Sequence, residues 1–212
     1  DGTLIVQVLK ALYGLVESAL LWYKHLAATL NAAGYSTSKN DRGVFFKTIG
    51  PTEQCAIAIH VDDLLITSTH RKHIDDLLKT LTDIYKDINV QERSDQVFYL
   101  GMQLDLQYSD NTISISQPGF IKEILAAHPV SRTSAYPATD DLFKCSDNGK
   151  PVDITAFASR LMKLNYLAKR TRPDISLAVS YLATRMKSPD HYDDAKLTLV
   201  YEYISGTQNI CV

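Results

Sequence analysis

The sequence predicts an α+β domain followed by a small helical domain. Over residues 1–128, apolar and β-branched runs alternate with helical patterns, whereas the pattern from residue 153 onward is helical. Between them, residues 129–152 are rich in Pro, Ser, Thr and Asp and show no hydrophobic periodicity. We therefore predict a first domain over 1–128, a linker over 129–152 and a helical domain over 153–212.

The elements of the first domain follow from residue type and spacing. Residues 3–9 are apolar and β-branched and predict a strand. Leu26 and Leu30 lie four residues apart in an Ala- and Leu-rich stretch, which predicts a helix over 17–33 that ends at Gly34. Further strands are predicted at 44–49, 55–61, 64–67, 97–108 and 112–116, and further helices at 71–88 and 120–127.

Three helices are predicted in the last third of the chain, at roughly 153–170, 173–187 and 190–205. Pro173 suits the first turn of the second helix, because the missing N–H is not needed there. Gly206 supplies a stop after the third.

Composition restricts the class of protein. The 212 residues are 45% hydrophobic and 22% charged, as expected of a globular chain with a core. No apolar run approaches the roughly 20 residues of a membrane-spanning helix. The net charge of −2 argues against strong non-specific nucleic-acid binding by the whole surface, but not against a local basic patch. Cys55, Cys145 and Cys211 are far apart without metal-ligand spacing, which favours a reducing compartment.

Adjacent carboxylates at Asp62 and Asp63 interrupt an apolar run over 55–67. A local rule broken inside an otherwise consistent strand pattern indicates a functional site, and a hairpin with the carboxylates at or beside its turn is the simplest fold. Two such carboxylates favour a nearby cation, and Mg²⁺ prefers this oxygen chemistry. In two-metal phosphoryl transfer, such carboxylates hold the ions that activate a hydroxyl and stabilise the leaving oxygen. The alternative is a polar turn without a metal, in which Asp is common.

Five segments of the chain form an ordered set of motifs. One is His60-Val-Asp-Asp-Leu64, which has His where a Tyr-x-Asp-Asp motif has Tyr. The other four, in chain order, are K-A-L-Y-G-L-V-E-S-A-L-L-W-Y at 10–23, Y-L-G-M at 99–102, I-S-Q-P-G-F-I at 115–121 and Y-L-A-K-R-T-R-P-D-I at 166–175. In this order the five segments resemble those of copia-type LTR-retrotransposon (Pseudoviridae) reverse transcriptases. The family has Lys-Gln-Ala-Pro-Arg where this sequence has Val16-Glu-Ser-Ala-Leu20. We interpret this difference and His60 as lineage variants, and His60 as a packed or solvated side chain rather than a ligand or base.

The resemblance implies a right-hand polymerase: a palm with an antiparallel sheet and packed helices, followed by a helical thumb-like domain. Asp62 and Asp63 would then be catalytic, metal-holding carboxylates with Mg²⁺ or Mn²⁺ as cofactor. Tyr13 and Gly14 would line the nucleotide site. Primer or nucleic-acid contacts would come from Leu100, Gly101, Met102, Gln103, Lys169, Arg170 and Arg172.

The resemblance also implies a function: a domain of a retrotransposon polyprotein that acts as an RNA-directed DNA polymerase. Its partners would be the RNA/DNA template–primer, deoxynucleotides and the rest of the polyprotein, with no membrane. The expected location is the cytoplasm, within the virus-like particle of the element, or the nucleus, without secretion.

Other features of the sequence favour an incomplete enzyme. The chain begins at Asp1 rather than Met, and the other catalytic carboxylate of the family precedes the segment at 10–23, in a D-x-x-x-A-F-L motif that this sequence lacks. Residues 153–157 resemble that motif, but the spacing is one residue short and we reject them. The family is also expected to have a ribonuclease H domain after the thumb, and this sequence, which ends at Val212, does not contain it. We therefore expect little or no polymerisation by the isolated chain.

Two rival functions are a non-catalytic nucleic-acid-binding domain and an inert remnant of a mobile element. Binding would use the stretch over 169–187, which holds five basic residues against one acidic residue. A solvated helix face explains the same stretch without any ligand. Among the remaining candidates, we interpret Trp22 and Tyr23 as core residues, and His70 and His73 as surface residues.

Overall fold

The computed structural model describes residues 2, 11–12, 14–15, 17–91, 94–145 and 149–212. The predicted strand at 3–9 and the candidate Tyr13 lie outside this part of the chain. Two compact units are present, Asp1–Gln91 and Glu92–Val212, called unit 1 and unit 2 below. Both combine antiparallel strands with packed helices, which confirms the predicted α+β class. Among the described residues, no helix is long and apolar enough to cross a membrane.

The described residues of unit 1 form a four-stranded antiparallel sheet with two helices. Its elements are α1 (Ser18–Ala32), β1 (Ser36–Thr37), β2 (Val44–Thr48), β3 (Gln54–His60), β4 (Asp63–Ser68) and α2 (Arg71–Tyr85). The strand order β1-β2-β3-β4 makes every neighbouring pair consecutive in the chain. Helix α2 is three residues shorter than predicted, because Lys86 adopts a φ of 64°.

The core of unit 1 lies on one face of this sheet. Phe45 of β2 pairs with Ile57 of β3, and both side chains are fully buried. Buried leucines from the two helices complete the core: Leu26, Leu30, Leu77 and Leu81. Side chains alternate across a strand, so the residues between these positions lie on the opposite face of the sheet.

Gly34 ends α1 as the sequence predicts. It has a φ of 88°, a conformation that Gly adopts without a Cβ penalty. Its N–H donates to the Asn31 carbonyl at 3.0 Å, and the Tyr35 N–H donates to the Leu30 carbonyl at 3.0 Å. These two hydrogen bonds form a Schellman motif, which satisfies carbonyls left free at the helix end.

Unit 2 has a three-stranded antiparallel sheet and four α-helices among its described residues. Its elements are β5 (Gln96–Tyr99), β6 (Met102–Gln107), β7 (Thr112–Ser116), α3 (Pro118–Ala127), α4 (Ile154–Arg170), a 3₁₀ turn (Pro173–Ile175), α5 (Ser176–Arg185) and α6 (His191–Gly206). The strand order is β5-β6-β7. The single strand predicted over 97–108 is wrong, because a turn at Leu100 and Gly101 divides it into β5 and β6.

The division between the units does not coincide with the boundary predicted after residue 128. Helix α3 buries Ile121 and Ile124 in the same core as α4, α5 and α6. Leu142, within the predicted linker, is also buried in that core. The described residues of this stretch, 129–145 and 149–152, form no helix or strand, which explains the lack of periodicity. Val130 and Val152 nevertheless pack against the core of unit 2.

Candidate functional site

Strands β3 and β4 place the carboxylate pair at a two-residue turn. Their register runs from Cys55 opposite Ser68 to His60 opposite Asp63, so Val61 and Asp62 form the loop. Asp62 and Asp63 are both exposed. The predicted hairpin, with its carboxylates at and beside the turn, is therefore confirmed.

The open face of the sheet carries Asp63. Ile59 and Leu64 are opposite each other in the register and pack against the core of unit 1. His60 and Asp63, one position nearer the turn, consequently lie on the opposite face and are solvent-exposed. As a directly opposed cross-strand pair, their Cβ atoms are about 5 Å apart. His60 is thus a solvated neighbour of Asp63, one of the two environments predicted for it.

The turn contains an unfavourable backbone conformation at Val61. Its φ is 57°, whereas Asp62 has no positive φ. A positive φ at the first loop residue alone is typical of a type II′ turn, which favours Gly there. For a β-branched residue this conformation is an outlier and costs about 1–3 kcal/mol.

Val61→Gly is expected to raise the free energy of unfolding of unit 1 by about 1 kcal/mol, since relief of backbone strain exceeds the added entropy of the unfolded chain. Urea denaturation followed by circular dichroism measures the change. Val44→Gly, within β2, is the matched control and should destabilise the protein. A destabilising effect of Val61→Gly would show that Val61 is unstrained.

Helix α1 supports this turn through Trp22. The indole Nε1–H of Trp22 donates to the Val61 carbonyl oxygen at 2.8 Å. The next residue, Tyr23, donates its hydroxyl to the Arg42 carbonyl oxygen at 2.9 Å. Both rings are half-buried, so the core assignment holds only in part. The indole N–H of Trp22 and the hydroxyl of Tyr23 each donate to a loop carbonyl. Helical periodicity in the sequence cannot predict these hydrogen bonds.

The chemistry of the donors at the turn fits a hard divalent cation. Mg²⁺ is commonly held by one or two carboxylates together with substrate phosphates, and the exposed Asp62 and Asp63 supply the carboxylates. Within the described ranges, no group of three or more His, Cys, Asp and Glu side chains forms a metal site. Two carboxylates are enough to hold such a cation when water molecules, or the phosphates of a substrate, supply its other oxygen ligands.

The first predicted nucleotide contact, Tyr13, is not among the described residues. Gly14 is described, is exposed and has a φ of 91°. A Cβ placed there would meet no atom within 4 Å, so the conformation favours Gly although space does not require it.

The predicted primer contacts lie in the β5–β6 turn of unit 2. Leu100 and Gly101 have φ values of 50° and 73°, the pattern of a type I′ turn. The Tyr166 hydroxyl donates to the Leu100 carbonyl oxygen at 3.1 Å. The segments at 99–102 and 166–175, distant in sequence, therefore meet in one unit.

Met102 and Gln103 begin β6. The Gln103 side-chain amide donates to Asp105 at 2.9 Å, and Gln96 donates to the same carboxylate. Hydrogen bonds from Gln96 and Gln103 lower the pKa of Asp105. Gln103 is thus bonded within its own sheet.

The predicted basic surface is divided by burial. Lys169 and Arg170 are exposed in the last turn of α4, and the Arg170 guanidinium lies 5.8 Å from the centre of the Tyr166 ring. Arg172 is 0% exposed, which contradicts its predicted contact with nucleic acid. Arg185 donates to Asp193 at 3.1 Å. The stretch over 169–187 is therefore not a continuous basic surface.

Arg172 is the centre of a hydrogen-bond network. Its Nε and Nη2 donate to the Asp174 carboxylate at 3.0 and 2.8 Å. Its Nη1 and Nη2 donate to the carbonyl and hydroxyl oxygens of Thr207 at 2.9 and 2.7 Å. Tyr203 donates its hydroxyl to Asp174 at 2.8 Å. The T-R-P-D segment consequently joins the end of α4 to the end of α6.

Two further interpretations are decided by contacts. His73 is not a surface residue, because its side chain is 14% exposed and Nε2 lies 3.1 Å from the Glu53 carboxylate. Asp153 caps α4 by accepting hydrogen bonds from the N–H groups of Thr155 and Ala156, which supports its rejection as a catalytic residue.

Comparison with known proteins places the chain among retroelement sequences. Residues 2–142 match the family model described as reverse transcriptase (RNA-dependent DNA polymerase). A Ty5-1 transposon protein of Saccharomyces cerevisiae is 30% identical, over 95% of this chain and 65% of the relative. The retrovirus-related Pol polyproteins from transposon RE1 of Arabidopsis thaliana and TNT 1-94 of Nicotiana tabacum are 28% and 24% identical.

The chain spans only part of these relatives. The alignments cover 97% and 99% of this chain, but 14% and 16% of the two plant polyproteins. No solved structure matches the chain.

Proposed function

Because this chain belongs to the reverse transcriptase (RNA-dependent DNA polymerase) family, we propose that its carboxylate turn serves template-directed nucleotidyl transfer in a retrotransposon Pol polyprotein. The observation that carries the proposal is the pair Asp62 and Asp63, exposed at a two-residue turn between apolar strands. The match to the family model and the Pol polyprotein relatives confirm the resemblance to copia-type elements.

Asp62 and Asp63 would hold Mg²⁺ or Mn²⁺, with Asp62 as the more direct ligand. When bound, such ions lower the barrier to attack of a primer hydroxyl on a nucleotide phosphate. The chain itself contributes two carboxylates at a turn that is open to solvent. Its apolar strands anchor that turn to the core of unit 1.

The remaining roles are assigned by unit. We propose unit 1, with its antiparallel sheet and helices on one face, as part of the palm, and α4, α5 and α6 as thumb-like. Gly14, with Tyr13, would contact the nucleotide. The Leu100–Gly101 turn, with Met102 and Gln103, would contact the primer end.

RNA-templated primer extension tests the proposal. The Pol polyprotein segment that includes this chain should add deoxynucleotides to a DNA primer on an RNA template in Mg²⁺, with the sequence of the template determining the order of addition. Replacement of Mg²⁺ by Ca²⁺ is the control and should stop addition. The absence of incorporation, or incorporation without a template, would contradict the proposal.

Lys169→Ala and Arg170→Ala are each expected to weaken binding of a template–primer duplex and to reduce its salt dependence by about one counterion. The reason is that both side chains are exposed to solvent, whereas the neighbouring Arg172 is buried and bonded to Asp174. Fluorescence anisotropy at several salt concentrations measures both effects. Lys79→Ala, an exposed lysine of α2, is the matched control. Equal slopes for all three variants would exclude this surface.

A double substitution distinguishes the rival function, nucleic-acid binding without catalysis, from polymerase activity. A binding domain should retain its affinity for nucleic acid when Asp62 and Asp63 are both replaced by Ala, and its affinity should not depend on Mg²⁺ at the turn. A polymerase should lose primer extension in the same variant.

A further inference from the structure

We propose that Trp22 is the positioning residue of the carboxylate turn and that its indole N–H fixes the orientation of the peptide group between Val61 and Asp62. The proposal rests on the proposed function for the catalytic role of Asp62, but the effect on the turn stands on geometry alone. Trp22 is the single Trp of the chain.

The hydrogen bond acts on the peptide group in the middle of the turn. The Val61 carbonyl, which accepts from Nε1 of Trp22 at 2.8 Å, belongs to the peptide unit whose nitrogen is that of Asp62. Rotation of this peptide group would convert a type II′ turn into a type I′ turn, which requires a positive φ at the second loop residue. Because Trp22 holds the carbonyl, Asp62 keeps an ordinary φ and its carboxylate keeps one direction.

The strain at Val61 makes this support necessary. With a φ of 57°, Val61 lacks the freedom of the Gly that this turn position favours. The adjacent strands fix the ends of the turn but leave its central peptide group without a ladder partner, since the last paired residues are His60 and Asp63. An external donor is therefore the means of selecting one orientation.

Trp22 is itself held by α2. Its ring packs edge-on against the Tyr85 ring with centroids 5.2 Å apart. The Tyr85 hydroxyl lies 2.8 Å from Nδ1 of His25 and 3.3 Å from the Thr29 hydroxyl, both on α1. The indole donor consequently has a fixed position between the two helices and the hairpin.

The test compares Trp22→Phe with Tyr23→Phe. Both variants keep an aromatic ring on α1 and lose one donor to a loop carbonyl, but only Trp22 binds the carboxylate turn. Trp22→Phe should produce microsecond-to-millisecond exchange at the amides of Asp62 and Asp63, measured by NMR relaxation dispersion. It should also weaken Mn²⁺ binding at the turn by roughly threefold to tenfold. Tyr23→Phe should do neither.

A second test measures the effect of Trp22→Phe in the Val61→Gly background. A general loss of stability would not reproduce the expected result. A Gly at this position adopts the type II′ turn without strain, so the effect of Trp22→Phe on amide exchange should become smaller in the Val61→Gly background. Circular dichroism checks that each variant folds.

Three outcomes would overturn the proposal: sharp Asp62 and Asp63 amides in Trp22→Phe, equal exchange in Tyr23→Phe, or an unchanged effect in the Val61→Gly background. If Mn²⁺ does not bind the turn of the unsubstituted chain, the proposed function fails, while the amide exchange still decides the role of Trp22.

Discussion

Asp62→Asn is expected to slow RNA-templated primer extension by about a thousandfold in the polymerase that carries this chain. Asn keeps the size of the side chain and suits a turn, but its neutral amide removes the negative charge that a divalent cation requires. Loss of several kcal/mol of transition-state stabilisation corresponds to about three powers of ten in rate. Single-turnover incorporation measures the step directly.

The fold should tolerate this substitution, because Asp62 is exposed at the loop. Asp83→Asn, an exposed residue of α2, is the matched control and should retain full activity. Asp63→Asn should also reduce the rate, as Asp63 is the second carboxylate of the proposed site. Extension by Asp62→Asn within tenfold of the unsubstituted rate would contradict a metal-binding role for this residue.

Arg172→Ala is expected to destabilise unit 2 by about 3 kcal/mol. The substitution leaves Asp174, with a side chain only 29% exposed, without the guanidinium that compensates its charge. It also removes both hydrogen bonds to Thr207. Removing one partner of a buried ion pair costs about 3–5 kcal/mol, and the partial exposure of Asp174 favours the lower end.

Thermal unfolding measures this effect, and a loss of about 3 kcal/mol corresponds to a fall of about 10 °C in Tm. Arg170→Ala is the matched control, since Arg170 is exposed two residues earlier, and should change stability by less than about 0.5 kcal/mol. Arg172→Lys should recover only part of the loss, because Lys lacks the planar fork. Similar Tm values for Arg172→Ala and Arg170→Ala would contradict a structural role for Arg172.

The same network predicts a dependence on pH. Burial alone would raise the pKa of Asp174, but hydrogen bonds from Arg172 and Tyr203 and the charge of Arg172 outweigh burial and lower it. A carboxylate with a lowered pKa stabilises the fold above its unfolded pKa of about 3.9 and loses that contribution as the pH falls through the folded pKa. Unit 2 should therefore lose stability below about pH 4, and Arg172→Ala should reduce this acid dependence.

The sequence was sufficient to predict the carboxylate hairpin and the longer helices. An apolar run that is broken only at Asp62 and Asp63 leaves few alternatives to a turn there. The apolar residues of α2 recur at steps of three and four residues, which is typical of an amphipathic helix. The residue pattern did not predict the turn at Leu100. A bulky residue with a positive φ is uncommon, and residues 97–108 have the pattern of one continuous strand.

The sequence alone could not predict which side chains are buried or which partners they bind. A count of basic residues over 169–187 cannot distinguish Arg172, which is buried, from Lys169, which is exposed. The Arg172–Asp174 pair is local, but its bonds to Thr207 span 35 residues. Likewise, Trp22 and Val61 are 39 residues apart. Helical periodicity predicts the side of the helix on which the Trp22 ring lies, but not the direction of its indole N–H.

The position of a bound Mn²⁺ ion is the most direct test of whether the turn at Asp62 and Asp63 is a metal-binding site. Paramagnetic broadening of amide resonances in the isotopically labelled chain maps the ion without requiring catalysis. We predict that broadening is strongest at residues 60–64, that Mg²⁺ reverses it by competition, and that Asp62→Asn abolishes it. Broadening centred elsewhere, or unchanged in Asp62→Asn, would contradict the assignment of this turn as the metal-binding site.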